Sequence, residues 1–142
     1  MKTKQKITKN HPYHDIRDDI YDLYKSKPLI YLACPYTSKD KKLMLKRFKK
    51  VNKVCGDLMK MGLHIFSPIS MSHPVSQATD LPGSWEYWKE FDEKFLECSH
   101  RVIVLCIDGW QSSIGVAGEI EIAKRLGITV EYINEKLEKI DF

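Results

Sequence analysis

Residues 101–107 (RVIVLCI) form the most apolar run of the chain and have the length of a strand. A strand that is apolar on both of its alternating faces needs cover above and below, which a parallel sheet between two layers of helices supplies. The run is therefore expected at the centre of such a sheet. Three further segments read as strands. Residues 29–33 are apolar and end at Cys34-Pro35-Tyr36, where a proline stops a strand and opens a loop. Residues 63–67 (LHIFS) end at Pro68, and residues 128–133 follow the helix-stopping Gly127.

Helical periodicity fills the intervals between these strands. Leu45, Phe48, Val51, Cys55, Leu58 and Met59 recur at three-four spacing over residues 41–61, and Gly62 closes that helix with its lysine-rich face outward. Trp85, Trp88, Asp92, Phe95 and Leu96 share one side of a helix reaching about Cys98, with Ser84 as its N-cap. Val116, Ile120, Ala123 and Leu126 place a third helix over residues 116–126. Residues 68–83, rich in Ser, Pro, His and Asp, read as a long functional loop, and the charged tail after 133 reads as helical.

Strands alternating with helices imply right-handed crossovers and a ligand site outside the carboxyl ends of the strands. The expected fold is α/β, a single doubly wound domain of Rossmann-like or flavodoxin-like type. Its parallel sheet would have four or five strands, with helices on both faces. The loops after Ala33 and Ile107 are then the place to look for a site. The domain spans residues 28–142, and residues 1–27 form an extension in which Ile16, Ile20, Leu23 and Tyr24 suggest a short amphipathic helix. A chain of 142 residues buries one core.

Composition narrows the class further. A hydrophobic fraction of 43% and a charged fraction of 30% are ordinary for a globular protein, and no apolar run approaches the roughly 20 residues of a membrane span. The start MKTKQKITKN is basic but lacks the apolar stretch of a secretory signal, so a cytoplasmic protein is expected. Cys34, Cys55, Cys98 and Cys106 form no C-x-x-C pair and read as reduced, mostly buried thiols. The net charge of +4 owes much to the lysines between Lys39 and Lys50, a solvated face by default, and suits a small anionic ligand better than nucleic acid.

Chemistry concentrates after the central run, in DGWQSSIGVAGEIEIA, where Ser112, Ser113, Gly115 and Gly118 surround a helix start. Exposed N–H groups there suit an anion. Glu119 falls near the first turn, where the helix dipole is expected to favour its ionised form and lower its pKa. Spacing alone leaves two readings of Glu119: a carboxylate decorating a helix start, or a nucleophile. The glycines spell neither the dinucleotide fingerprint G-x-G-x-x-G nor a P-loop. His64 and His73 have no partner at metal spacing, so neither a metal nor a cofactor is expected. Asp108 before Gly109 reads as a turn.

Three pieces in order, IYLACPY, the helical Asp92 and GWQSSIGVAGEIEIA, resemble the nucleoside 2-deoxyribosyltransferase superfamily over residues 29–133. The pattern is similar above all to its 2′-deoxynucleoside 5′-phosphate N-hydrolases. The resemblance implies Glu119 as the nucleophile, Asp92 as the carboxylate assisting it, and Tyr31 as the phenol beside it. It also implies a homodimer or larger oligomer in which a neighbour completes the pocket. Ser113, six residues before Glu119, holds a position where the transferases tend to carry aspartate and the monophosphate hydrolases serine. A hydroxyl accepts a phosphate that a carboxylate repels.

One departure stands out: those hydrolases carry an arginine in the loop after the first strand, where this chain has Tyr36 and Thr37. Phosphate is expected to meet Thr37, Ser38 or a nearby lysine, together with Ser112, Ser113 and Gly115. Trp88 and Trp110 are candidates to stack on the base or wall the pocket. The expected activity is hydrolysis of a 2′-deoxynucleoside 5′-monophosphate through a glutamyl-deoxyribosyl intermediate. The rivals are deoxyribosyl transfer to a second base and nucleotide binding without turnover.

Overall fold

The computed structural model describes residues 27–142; the helix expected around Ile16–Tyr24 lies outside them. Four strands form one parallel sheet: β1 (Leu29–Ala33), β2 (His64–Phe66), β3 (Arg101–Leu105) and β4 (Thr129–Ile133), in the order β2-β1-β3-β4. The apolar run leads into β3, an inner strand paired with β1 through Tyr31↔Val102 and with β4 through Val102↔Val130. The chain steps one way from β1 to β2 and then the other way to β3. The sheet order therefore reverses between β1 and β3, which places the ligand crevice at their carboxyl ends.

Alternation along these strands builds two cores. Ile30, Leu32, Ile103 and Leu105 face α1 (Lys41–Lys60) and α2 (Pro68–Thr79), packing on Val51, Val54, Leu58 and Ile69. Tyr31, Ala33, Val102 and Val104 face α3 (Trp85–Glu97) and α4 (Ile114–Arg125), meeting Leu96, Val116, Ile122 and Ala123. This is the doubly wound α/β architecture that the alternating pattern predicts. No helix among the described residues is long and apolar enough to cross a membrane. Cys34 and Cys55 are buried and Cys106 half-buried, whereas Cys98 is exposed; all four are free thiols.

Two segments differ from expectation. Residues 68–79 are helical, not loop: Pro68 occupies the first turn of α2, where a proline has no N–H bond to forfeit, and Ser67 precedes it in an extended conformation. Pro74 lies inside this helix, which burial of Ile69, His73 and Ser76 sustains against the lost hydrogen bond, and Asp80 ends it in the left-handed region at φ 57°. Residues 134–142 are not helical either. The Asn134 side chain accepts from the Lys136 and Glu138 N–H groups, turning the chain at Leu137 (φ 65°) so that Lys139 bridges antiparallel to Ile133. An Asx-type turn takes the N–H groups that a helix start would need.

Candidate active site

Tyr31 lies on the β1 face that α3 and α4 cover, and each of those helices turns one carboxylate inward beneath it. Glu119 is the sixth residue of α4 and Asp92 the eighth of α3, 5% and 8% exposed, while Tyr31 is fully buried. The Tyr31 hydroxyl donates to Glu119 Oε2 and also faces the Asp92 carboxyl. The three groups named from sequence are thus one cluster at the floor of a cavity of about 400 Å³. Glu119 and Asp92 line that cavity directly, with Tyr31 behind them.

Electrostatics here run opposite to the dipole expectation. α4 begins at Ile114, so Glu119 stands beyond the first turn, where the dipole field has faded. Burial raises its pKa to about 8; the Tyr31 hydrogen bond opposes that rise and the Asp92 charge adds to it. Burial likewise raises Asp92 to about 7, against a lowering from Tyr31. Both carboxyls are therefore poised to exchange a proton near neutrality, a condition shared with catalytic acid-base pairs. Tyr31 itself is held well above the usual phenol range by burial and by both carboxylates, so it stays a donor. Tyr31→Phe removes a bond to the charged form, so Glu119 should titrate about one pH unit or more higher. Carboxyl-carbon NMR titration reads this, and an unmoved Glu119 would contradict the role given to the phenol.

The cavity wall comes from the two loops at the sheet's switch point. Thr37, from the loop after β1, donates from Oγ1 to the Gly83 carbonyl at 2.6 Å, which closes the α2–α3 connection over the site. After β3, Gly109 adopts φ 88° and starts the 3-10 turn Trp110–Ser112; Ser112 Oγ donates back to its carbonyl at 3.2 Å. The turn assigned to Asp108-Gly109 is thus present. Ser113 caps α4, accepting from the Val116 N–H at 3.2 Å and keeping its hydroxyl proton available. Ser112, Ser113 and Gly115 all line the cavity, as does Trp88, whose Nε1 donates to the Pro82 carbonyl.

Two expected residues lie elsewhere. Ser38 does not line the cavity; its Oγ accepts from the Asp40 N–H in the turn that leads into α1. Trp110 points away as well, packing against Tyr132 and Phe142 with ring centroids 5.5 and 5.6 Å distant. The C-terminal turn brings Phe142 there, and packing on β4 wins over the cavity.

Sequence reading missed Arg47 and Tyr36. Arg47 enters the cavity wall from α1, with Nη1 donating to the Tyr36 and Thr37 carbonyls at 3.3 Å each and Nη2 to the Asp108 carbonyl at 3.2 Å. Its signal was present: it lies one turn before Val51, so a charged residue continues the stripe of Val51, Val54, Cys55 and Leu58. The Tyr36 hydroxyl meets His73 Nδ1 at 2.6 Å, and His73 stacks on Phe48 at 4.2 Å. His73 is thereby a packed, neutral partner, lowered in pKa by burial, and His64 is exposed.

A family model described as a domain of unknown function, DUF1937, matches residues 28–135. Among solved structures, the chain is similar to a 2-deoxyribosyltransferase from the psychrotolerant bacterium Bacillus psychrosaccharolyticus. The two are 25% identical over 80% of this chain and 77% of that one, with a TM-score of 0.48. No curated protein matches the chain.

Proposed function

The chain belongs to the DUF1937 family, and we propose that it hydrolyses the N-glycosidic bond of a 2′-deoxynucleoside 5′-monophosphate. The observation that carries the proposal is the Tyr31–Glu119–Asp92 cluster on the floor of a cavity at the β1/β3 switch point. The ordered sequence resemblance to deoxyribosyltransferases and their nucleotide-hydrolase relatives supports the same reading.

Glu119 Oε attacks the anomeric carbon; the bond to the base nitrogen breaks, and the base leaves with the electron pair. Asp92 or water supplies its proton. Water then attacks the same carbon of the glutamyl ester, returning Glu119 and giving 2-deoxyribose 5-phosphate. Tyr31 holds the nucleophile's charge and orientation in both halves. A 2′-deoxy sugar lacks the electron-withdrawing hydroxyl, which eases an oxocarbenium-like transition state. Ser112, Ser113 and the first N–H groups of α4 offer the phosphate its hydrogen bonds.

Incubation with a panel of nucleoside and deoxynucleoside monophosphates, followed by chromatography, should show free base from the deoxy compounds. No base from any of them would end the proposal. An added acceptor base tests transfer: a new nucleoside in the product mixture would replace hydrolysis by transferase chemistry. The pH profile is a separate check. Since one carboxyl of the pair must be ionised and the other protonated, activity should rise as pH approaches about 7, peak between about 7 and 8, and fall above about 8 as the second carboxyl ionises. A limb near pH 4 would mean that the reacting carboxylate is not in this cluster.

A further inference from the structure

The Arg47 guanidinium brings to the cavity a positive charge that no carboxylate among the described residues neutralises within ion-pair distance. Its bonding partners are three main-chain carbonyls, two in the loop after β1 and one in the loop after β3, and its Nε is buried with no partner. Carbonyls orient a guanidinium but do not cancel its charge, and an arginine half-buried without a counter-ion is unfavourable unless an anion visits it. Three carbonyls also hold the planar fork in one orientation, so little freedom remains to be lost when an anion binds.

The surroundings fit a phosphate. A Cβ on Gly109 would meet Arg47 Nη2 at 2.5 Å, so the guanidinium lies directly on the turn that runs through Ser112 to the Ser113 cap of α4. Those two hydroxyls and that helix start border the same cavity. Cys34, between the loops, has its thiol pushed up chiefly by burial, with the Glu119 charge raising it and the Arg47 charge lowering it. Cys34, Arg47 and Glu119 all line this one cavity.

We propose that Arg47 is the anion anchor of this cavity, binding the 5′-phosphate from α1 and setting the preference for a nucleotide over the free nucleoside. This rests on the deoxynucleotide reading above. Arg47→Gln keeps a donor for the carbonyls and removes the charge, whereas Arg47→Lys keeps the charge without the fork. The ratio of kcat/KM for a deoxynucleoside monophosphate to that for its deoxynucleoside should fall roughly 10- to 100-fold in the Gln variant, the scale of one charge-assisted hydrogen bond. The Lys variant should recover part of it. Circular dichroism and thermal melting check that both variants fold. A ratio within twofold of the wild type in a folded Gln variant overturns the assignment.

Binding separates this inference from the catalytic one. By calorimetry the wild type should bind inorganic phosphate or 2-deoxyribose 5-phosphate, and the Gln variant should bind them at least about tenfold more weakly. That result upholds Arg47 even if no base is ever released. Equal binding by both proteins, or none by the wild type, sinks the anchor whatever the enzyme does.

Discussion

Glu119→Gln is expected to lose base release by at least about 1,000-fold and, at pH 9, to melt several degrees above the wild type. The first effect follows because an amide cannot form the glycosyl ester. The second follows from linkage. Burial raises the folded-state pKa of Glu119 to about 8, so the unfolded chain releases that proton at lower pH than the folded one. The carboxyl's contribution to stability is full below the ordinary carboxylate range and is lost as pH rises toward 8. For a displacement of this size the loss is on the order of 5 kcal/mol. A neutral glutamine escapes it and still accepts the Tyr31 hydrogen bond. The stability advantage should therefore disappear near pH 4, where the wild-type carboxyl is protonated in both states. Thermal melts at the two pH values, beside a turnover assay, read both effects. Full activity in the variant would remove Glu119 from the chemistry, and a variant with no stability advantage over the wild type at pH 9 would contradict the burial account.

This combination identifies the cluster as a place where the fold gives up stability. Asp92, raised to about 7 by burial, carries the same penalty, and the Tyr31 hydroxyl offsets only part of both. A packed apolar trio would satisfy the α3–α4 interface better, so the carboxyls are not what holds these two helices together.

The sheet was legible because it depends on local pattern, whereas Tyr31, Asp92 and Glu119 are singled out by the ordered resemblance and lie together in the structure. Apolar runs at 29–33 and 101–107 mark β1 and β3, and helical spacing puts Asp92 on the apolar side of its helix, whereas spacing leaves Glu119 open between a helix-start carboxylate and a nucleophile. What stayed hidden depends on tertiary context. α2 has prolines at Pro68 and Pro74 and few apolar side chains, so only its burial against α1 makes it a helix. Trp110 and Ser38 flank the crevice in sequence, yet one turns to the late-arriving Phe142 and the other closes a turn before α1. The pKa of Glu119 could not be read from its place near a helix start, because desolvation by burial, which depends on the tertiary packing, exceeds a dipole term that fades within a turn. Arg47 falls within the lysine-rich stretch of its helix, although its position on the buried stripe sets it apart.

Gly118 shows how closely the two carboxylate helices must approach, and Gly118→Ala is the steric counterpart to the Glu119 variant. A Cβ at this position would lie 2.5 Å from Trp85 Cε2 and Cζ2 and 2.8 Å from Nε1. The indole is rigid and opens α3, and its Cε3 edge would lie 3.8 Å from a Cβ on Gly115, so it can yield only by shifting into the cavity it lines or by moving that helix. Overpacking of this kind typically destabilises by about 1–3 kcal/mol. Alanine's better helix propensity returns less than about 1 kcal/mol of that. The functional consequence should exceed the loss of stability, since Asp92 follows Trp85 by two turns of α3 and Glu119 is the next residue of α4. Separating the helices draws both carboxyls away from the Tyr31 hydroxyl, and misplacement by about 1 Å is enough to lose on the order of 100-fold in rate. Denaturant unfolding and turnover measured on the same preparation test the pair of effects. A variant folded and active as wild type would show that the α3–α4 contact tolerates widening and that the trio does not depend on it. Trp85→Phe in the Gly118→Ala background removes the larger ring, and recovery of activity there would assign the defect to this contact and not to the helix backbone.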